Sequence, residues 1–185
     1  MKLTIGCKTL LFGAHNVILH PIMLAIAWIR LYGFKTLNLK LAVAFLVHDW
    51  GYWGKADIDG PSGERHPELG AKIMGFLFGP EWAEFTLFHS RSYAKAAGKP
   101  VSRLCYADKL ATALTPAWLY VPMVCLTGEI SEYMVSTSVK STDRFYSVVG
   151  SRTGDAGVWF SELRAFNLKW VRSNTNVDVL TSAAA

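Results

Sequence analysis

Leu41-Ala42-Val43-Ala44-Phe45-Leu46-Val47-His48-Asp49 is the stretch that decides the fold. Seven apolar residues run without a break into a histidine and an aspartate. Asn38 stands ahead of them, where its side chain can accept from a free N–H of a first helical turn. The pattern predicts a helix from Leu39 to Asp49, too apolar to lie on a surface. An ionised aspartate at the end of such a helix is costly unless a cation or hydrogen-bond donors compensate it.

Working outward, helix signals recur on both sides. Residues 16–32 carry apolar side chains at mixed three and four spacing, and Gly33 stops them. The glycines from Gly51 to Gly63, with Pro61, mark a long loop. Pro67 suits the first position of a helix to about Phe78, and Pro80 opens another that ends near His89. Gly98-Lys99-Pro100 is a break. Ser102 can cap a helix through Leu114. Further helices are expected over Gly128–Val139 and Gly157–Arg172. The stretch from Ser141 to Gly157 reads as a loop, or as a short hairpin around Phe145–Val149. The tail after Ser173 is expected to fray. The expectation is an all-α, single-domain helical bundle over residues 1–185. Its core about residues 13–115 carries the chemistry, and a helical extension covers about 128–172.

The totals agree with a packed domain. The chain has 185 residues, 51% hydrophobic and 18% charged, which excludes a disordered chain. Seven Trp and ten Phe are enough for a deep core or an aromatic-walled pocket. The net charge of +5 is spread without a basic run, so no specific nucleic-acid module is evident. Three cysteines without C-x-x-C spacing argue against a disulfide framework and fit a cytoplasmic setting. The apolar segments Val17–Trp28 and Leu114–Leu126 are interrupted by His20 and Pro21 and by Pro116 and Pro122. Both read as buried protein, not membrane.

Asp108 repeats the cost seen at Asp49. It lies in Leu104-Cys105-Tyr106-Ala107-Asp108-Lys109-Leu110-Ala111, and helical spacing puts it on one face with Leu104 and Ala111. Either a cation answers it, or a base such as Lys109 or Arg103 does. The five histidines, His15, His20, His48, His66 and His89, all fall in the first half of the chain. Imidazole and carboxylate together suit Zn, Mn, Fe or Co and argue against Ca.

The order of these groups resembles the HD superfamily of metal-dependent phosphohydrolases. A histidine on an early helix is followed by a His-Asp pair with a glycine two places on, and then by a lone aspartate. Here these are His20, His48-Asp49 with Gly51, and Asp108. His15 competes with His20 for the first place, at 33 against 28 residues from His48. We favour His20 because it opens the longer helical stretch, which leaves His15 to orient a ligand or line the pocket. His66-Pro67-Glu68-Leu69-Gly70 resembles the H-x-x-x-G element of two-metal members, and His89 resembles their next position. Ser90 departs from the His-His pair common there. The resemblance implies one or two divalent ions (Mn, Fe, Co, Zn or Mg), with Asp49 shared between them and His66 and His89 on the second.

Such a site implies hydrolysis of a phosphoester through an activated water. Asp49, Lys109, Glu64 and Arg65 are the candidate reacting groups. Lys55, Arg91, Tyr52, Trp53 and His15 are candidate substrate contacts, the aromatics able to stack on a base. Each of these charges reads equally as a solvated surface group, and the aromatics equally as core. The expected partner is a small phosphorylated substrate, a nucleotide above all, with no membrane. A homo-oligomer through the apolar stripe Val158, Trp159, Phe160, Leu163, Phe166 and Trp170 is the alternative to that stripe docking on the core. The rival readings are an HD-type di-iron oxygenase and a metal-stabilised binding or regulatory module without catalysis.

Overall fold

Residues 3–139 and 149–175 are described in the computed structural model. They form eleven α-helices with three short 3-10 turns and, among the described residues, no strand. The helices are α1 (Ile5–Phe12), α2 (Leu19–Tyr32), α3 (Leu39–Val47), α4 (Pro67–Phe78), α5 (Pro80–Leu87) and α6 (Arg91–Ala96). They continue with α7 (Arg103–Leu114), α8 (Ala117–Thr127), α9 (Glu129–Val139), α10 (Val149–Thr153) and α11 (Ala156–Thr175). The architecture is the all-α bundle in one domain that the sequence leads one to expect.

The local causes are legible at the helix ends. The Asn38 side chain accepts from Leu41 N–H at 3.0 Å and starts α3. Pro67 and Pro80 sit in the first turns of α4 and α5. Asp155 caps α11, accepting from Gly157 N–H at 2.8 Å and Val158 N–H at 2.9 Å. α3 ends two residues earlier than expected. Asp49 takes φ −100° and ψ 0°, the bridge conformation, and turns the chain into a 3-10 turn at Trp50–Tyr52. The hairpin expected around Phe145–Val149 falls largely outside the described residues, and Val149 itself opens α10. The tail from 176 onward also lies outside them.

α2 and α7 form the central pair, with α11 against α7, and α3 between α2 and α4. Leu24, Ala27 and Trp28 of α2 meet Leu104, Ala107, Leu110 and Ala111 of α7, with Phe45 of α3 and Val171 of α11 closing the cluster. A second cluster joins Leu10, Tyr120, Val124, Tyr133, Trp159 and Phe160 with Tyr52 and Ile58 from the long loop. The stripe on α11 therefore docks on the core: Trp159 and Phe160 are buried, and Trp170 stacks on Tyr106 at 5.2 Å. No single described helix is long and apolar enough to cross a membrane, and α7 and α8 are bent by 100° at their junction.

The two clusters leave a cleft between them. His20 on α2, the end of α3, the start of α4, the end of α5 and the middle of α7 all converge there.

Candidate metal centre

His20 is the second residue of α2, and His48 is the cap at the end of α3. Asp49 follows in its bridge conformation, which turns its carboxylate inward. His66 caps the start of α4, His89 lies just past α5, and Asp108 projects from the middle of α7. Gly51 lets the chain after Asp49 run against the backbone of His66. A Cβ at Gly51 would overlap the His66 carbonyl, so only glycine permits this approach.

The six side chains form one constellation, buried except for the half-buried His66. Asp49 Oδ2 lies 3.0 Å from His48 Nε2 and 3.5 Å from His20 Nε2. Asp49 Oδ1 lies 3.5 Å from His89 Nε2 and 3.6 Å from His66 Nε2. Asp108 Oδ1 lies 3.1 Å from His20 Nε2. The Asp49 carboxylate thus divides the cluster, with His20, His48 and Asp108 on one side and His66 and His89 on the other. Donor atoms of His20, His48 and Asp108 lie close enough together to hold a metal ion, as do those of His48, Asp49 and His89.

Tautomers decide what these atoms can do. The Nδ1 atoms of His48, His66 and His89 lie 3.0, 2.8 and 2.6 Å from the carbonyls of Phe45, Gly63 and Thr86. A carbonyl only accepts, so each Nδ1 carries a proton, and a ring in its neutral form turns a bare Nε2 lone pair inward. Burial alone would lower His48, but the Asp49 carboxylate beside it draws it up. His66 Nε2 and His89 Nε2 face each other at 3.2 Å. When both rings are neutral, two lone pairs at that distance repel unless a cation sits between or beside them. His20 Nε2, His48 Nε2 and Asp49 Oδ2 are buried without an aligned hydrogen bond. Backbone carbonyls that fix the ring and leave Nε2 free are the usual support behind metal-binding histidines. The residues present therefore fit a metal-ion centre.

Burial holds the His66 imidazole down to about 3, so it stays neutral and ready to ligate. Burial alone would raise Asp49, but the opposing charge of His48 draws it well below the usual carboxylate range. Asp108 is likewise pushed up by burial and drawn down further by Lys109, whose Nζ stands 3.3 Å from Asp108 Oδ2. Of the bases considered for Asp108, Lys109 meets Oδ2 and Arg103 instead lies over the rings of Trp28 and Tyr32; the other oxygen faces His20.

His15 is outside the cluster. Its Nδ1 pairs with Thr9 Oγ1 at 2.8 Å, and its ring lies 4.5 Å from Tyr52 and 5.8 Å from His20. Tyr52 in turn stacks on His66 at 4.2 Å, a wall of the centre.

Two cavities meet at the centre. One, of about 260 Å³, is lined by Asp49, His66, His89 and Asp108, with Glu64, Ser90, Ser92, Arg91 and Lys109 around them. The other, of about 320 Å³, is walled by Tyr120, Tyr133, Trp159, Leu163, Phe166 and Asn167. His15, Tyr52, Asp59, Arg91 and Lys109 belong to both, so the cavities form one bipartite cleft with the basic side chains Arg91 and Lys109 at the junction. Ser90, the departure from the resembled pattern, pairs with Ser92 at 2.9 Å, and Ser92 donates to Glu64 at 2.7 Å.

One expected reacting group, Arg65, and two expected contacts, Trp53 and Lys55, line neither cavity. Arg65 makes a two-pronged pair with Glu68 at 3.1 Å per contact, with its side chain 64% exposed. Trp53 is exposed at 61%, and Lys55 lies beside α1, its carbonyl accepting from Gly6 N–H at 3.1 Å. The aromatic chamber has its walls from α8, α9 and α11. The apolar segment Pro116–Pro122 reads from sequence as a partly structural wall of the pocket, and its Tyr120 is that wall; the contribution of α9 and α11 carried no such signal.

Comparison with known protein families, with curated proteins and with solved structures finds no match for this chain.

Proposed function

We propose that the chain is a metal-dependent phosphohydrolase of the HD type, acting on a nucleotide or another small phosphoester. The observation that carries this is Asp49, whose two oxygens each face a separate pair of imidazoles at 3.0–3.6 Å. A carboxylate so placed is suited to bridge two cations. Two divalent ions held there would neutralise phosphate oxygens and acidify a water.

The chain's own groups supply the rest. Arg91 and Lys109 stand at the junction of the two cavities, where they meet a phosphate brought to the centre. Lys109 also holds Asp108 in place. Glu64, at the edge of the metal cavity, is placed to accept a proton. The aromatic chamber receives the body of the substrate. Its tyrosines and tryptophan favour a flat ring, and the buried Asn167 offers a donor and an acceptor to that ring's edge.

The test is phosphate release from a panel of phosphorylated nucleotides with Mn, Co, Mg and Fe. Asp49→Ala and Asp108→Ala should abolish any activity found, and activity that survives both overturns the site. The four-imidazole donor set also favours a second reading, a di-iron oxygenase. Two irons per chain, with oxygen uptake on adding substrate, would replace the hydrolase reading.

A further inference from the structure

Glu129, at the start of α9, is 0% exposed and, among the described residues, has no basic side chain hydrogen-bonded to it. Hydroxyl and amide donors surround it instead. Thr127 Oγ1 donates to Oε1 at 2.6 Å and Tyr133 OH to Oε2 at 2.8 Å. The Ala14 N–H approaches both oxygens at 3.3–3.4 Å. Thr9 lies next to them, since a Cβ at residue 13 would meet both Glu129 Oε1 and the Thr9 backbone, and against the upward push of burial its hydroxyl helps to hold the carboxylate down. The loop bearing Ala14 and His15 reaches this carboxylate only because residue 13 is glycine, since a Cβ there would overlap Glu129 Oε1.

Thr9 links this buried acid to the cleft. It is 0% exposed, and its Oγ1 also meets His15 Nδ1 at 2.8 Å and the His15 N–H at 3.3 Å. A threonine hydroxyl has one proton and two lone pairs. With the proton given to Glu129, Oγ1 accepts from both the backbone and the ring of His15. His15 Nδ1 then carries its proton, and Nε2 is a bare acceptor. Because His15 lines both cavities, that nitrogen is the one left for the cleft.

We propose that Glu129 and Thr9 are positioning residues that hold His15 Nε2 as a hydrogen-bond acceptor at the junction of the two cavities. There it receives an O–H, either from the attacking water or from a hydroxyl on the body of the substrate. The ligand half of this inference rests on the phosphohydrolase reading; the positioning half does not.

The experiment uses the full chain with 15N-labelled histidine, and His15 is assigned by the signal missing in His15→Ala. In the metal-free wild type, the His15 pattern should be that of the Nδ1–H tautomer. Thr9→Val should lose the fixed tautomer, and Thr9→Ser should restore it. Should Thr9→Val fail to fold, Glu129→Gln is read instead. Its amide can donate to Thr9, which frees the threonine proton for His15 Nδ1 and moves the ring toward the Nε2–H form. An Nε2–H tautomer in the wild type, or a His15 signal indifferent to Thr9→Val and Glu129→Gln, overturns the proposal.

Kinetics separate the two sources of the O–H. The substrates are p-nitrophenyl phosphate, whose body has no hydroxyl, and a nucleoside 5′-monophosphate, whose body has two. If His15 receives the attacking water, Thr9→Val lowers kcat about 10-fold on both and leaves KM in place; one well-placed hydrogen bond is of that order. If it receives a substrate hydroxyl, KM rises about 10-fold for the nucleotide alone. Unchanged kinetics on both substrates sinks the ligand half. A wild type with the expected tautomer but no phosphatase activity supports the positioning chain and overturns the hydrolase reading.

Discussion

Replacing Asp49 by Asn removes the one charge that all four cluster imidazoles share and leaves the shape of the side chain intact. In the metal-free protein the cost is small, because the new NH2 can donate to a histidine lone pair 3.0–3.6 Å away. Metal-free Asp49→Asn should melt within a few degrees of metal-free wild type. With metal the two should part. A cation at 100 times its Kd stabilises the folded state by about 2.7 kcal/mol. For a chain of this size each kcal/mol moves Tm by about 2–4 °C, so wild type should rise by about 5–11 °C. A loss of affinity of about 100-fold leaves the variant only about 0.4 kcal/mol, or roughly 1 °C, at the same concentration. The assay is thermal unfolding of chelator-stripped protein, titrated with Mn, Fe, Co and Zn. No rise in wild type with any of them, or an equal rise in Asp49→Asn, would refute the reasoning.

Three further outcomes are expected. Leu104 is fully buried between α2 and α7, and Leu104→Ala should cost about 2–5 kcal/mol in chemical denaturation, with metal stoichiometry unchanged. Gly51→Ala must displace the His66 carbonyl, so titration should show the ion on the His66 side weakened before the one on the His20 side. Acid should destabilise the metal-free protein. Burial lowers His15 to about 4 and His66 to about 3, below the 6.5 of an unfolded histidine. For these two groups the unfolded chain binds more protons in that range, so their contribution to stability is present above pH 6.5 and is lost as pH falls toward those values; His48, which burial pushes down but Asp49 draws up, contributes the opposite way. Denaturation midpoints between pH 8 and 4 check this, and a flat profile contradicts it.

Much of this was legible in the sequence for physical reasons. Asn38, Pro67 and Pro80 act through one-residue chemistry at helix ends, and the helices they start begin where expected. The two acids were legible because Asp49 and Asp108 stood in apolar helices, where a buried acid needs an explanation; that His20, His48, His66 and His89 join them is what the resemblance to the HD superfamily implies. What stayed hidden depends on distant packing. α1 and α6 are short and carry no long periodic stripe, and α8 contains Pro122, which reads as a break. The aromatic chamber joins Tyr120, Tyr133 and Phe166 across three helices. Glu129, just past Gly128, looks from sequence like an ordinary acid in a first helical turn; its full burial appears only once α1 and the loop after it pack over it.

The most direct test of the two-cation centre is anomalous diffraction from crystals grown with Mn or Zn, supported by metal analysis in solution. The account predicts two ions per chain with Asp49 between them, one beside His20, His48 and Asp108 and the other beside His66 and His89. His66→Ala should empty only the second position. No ion in the cluster, or a single ion unaffected by Asp49→Asn, would contradict it.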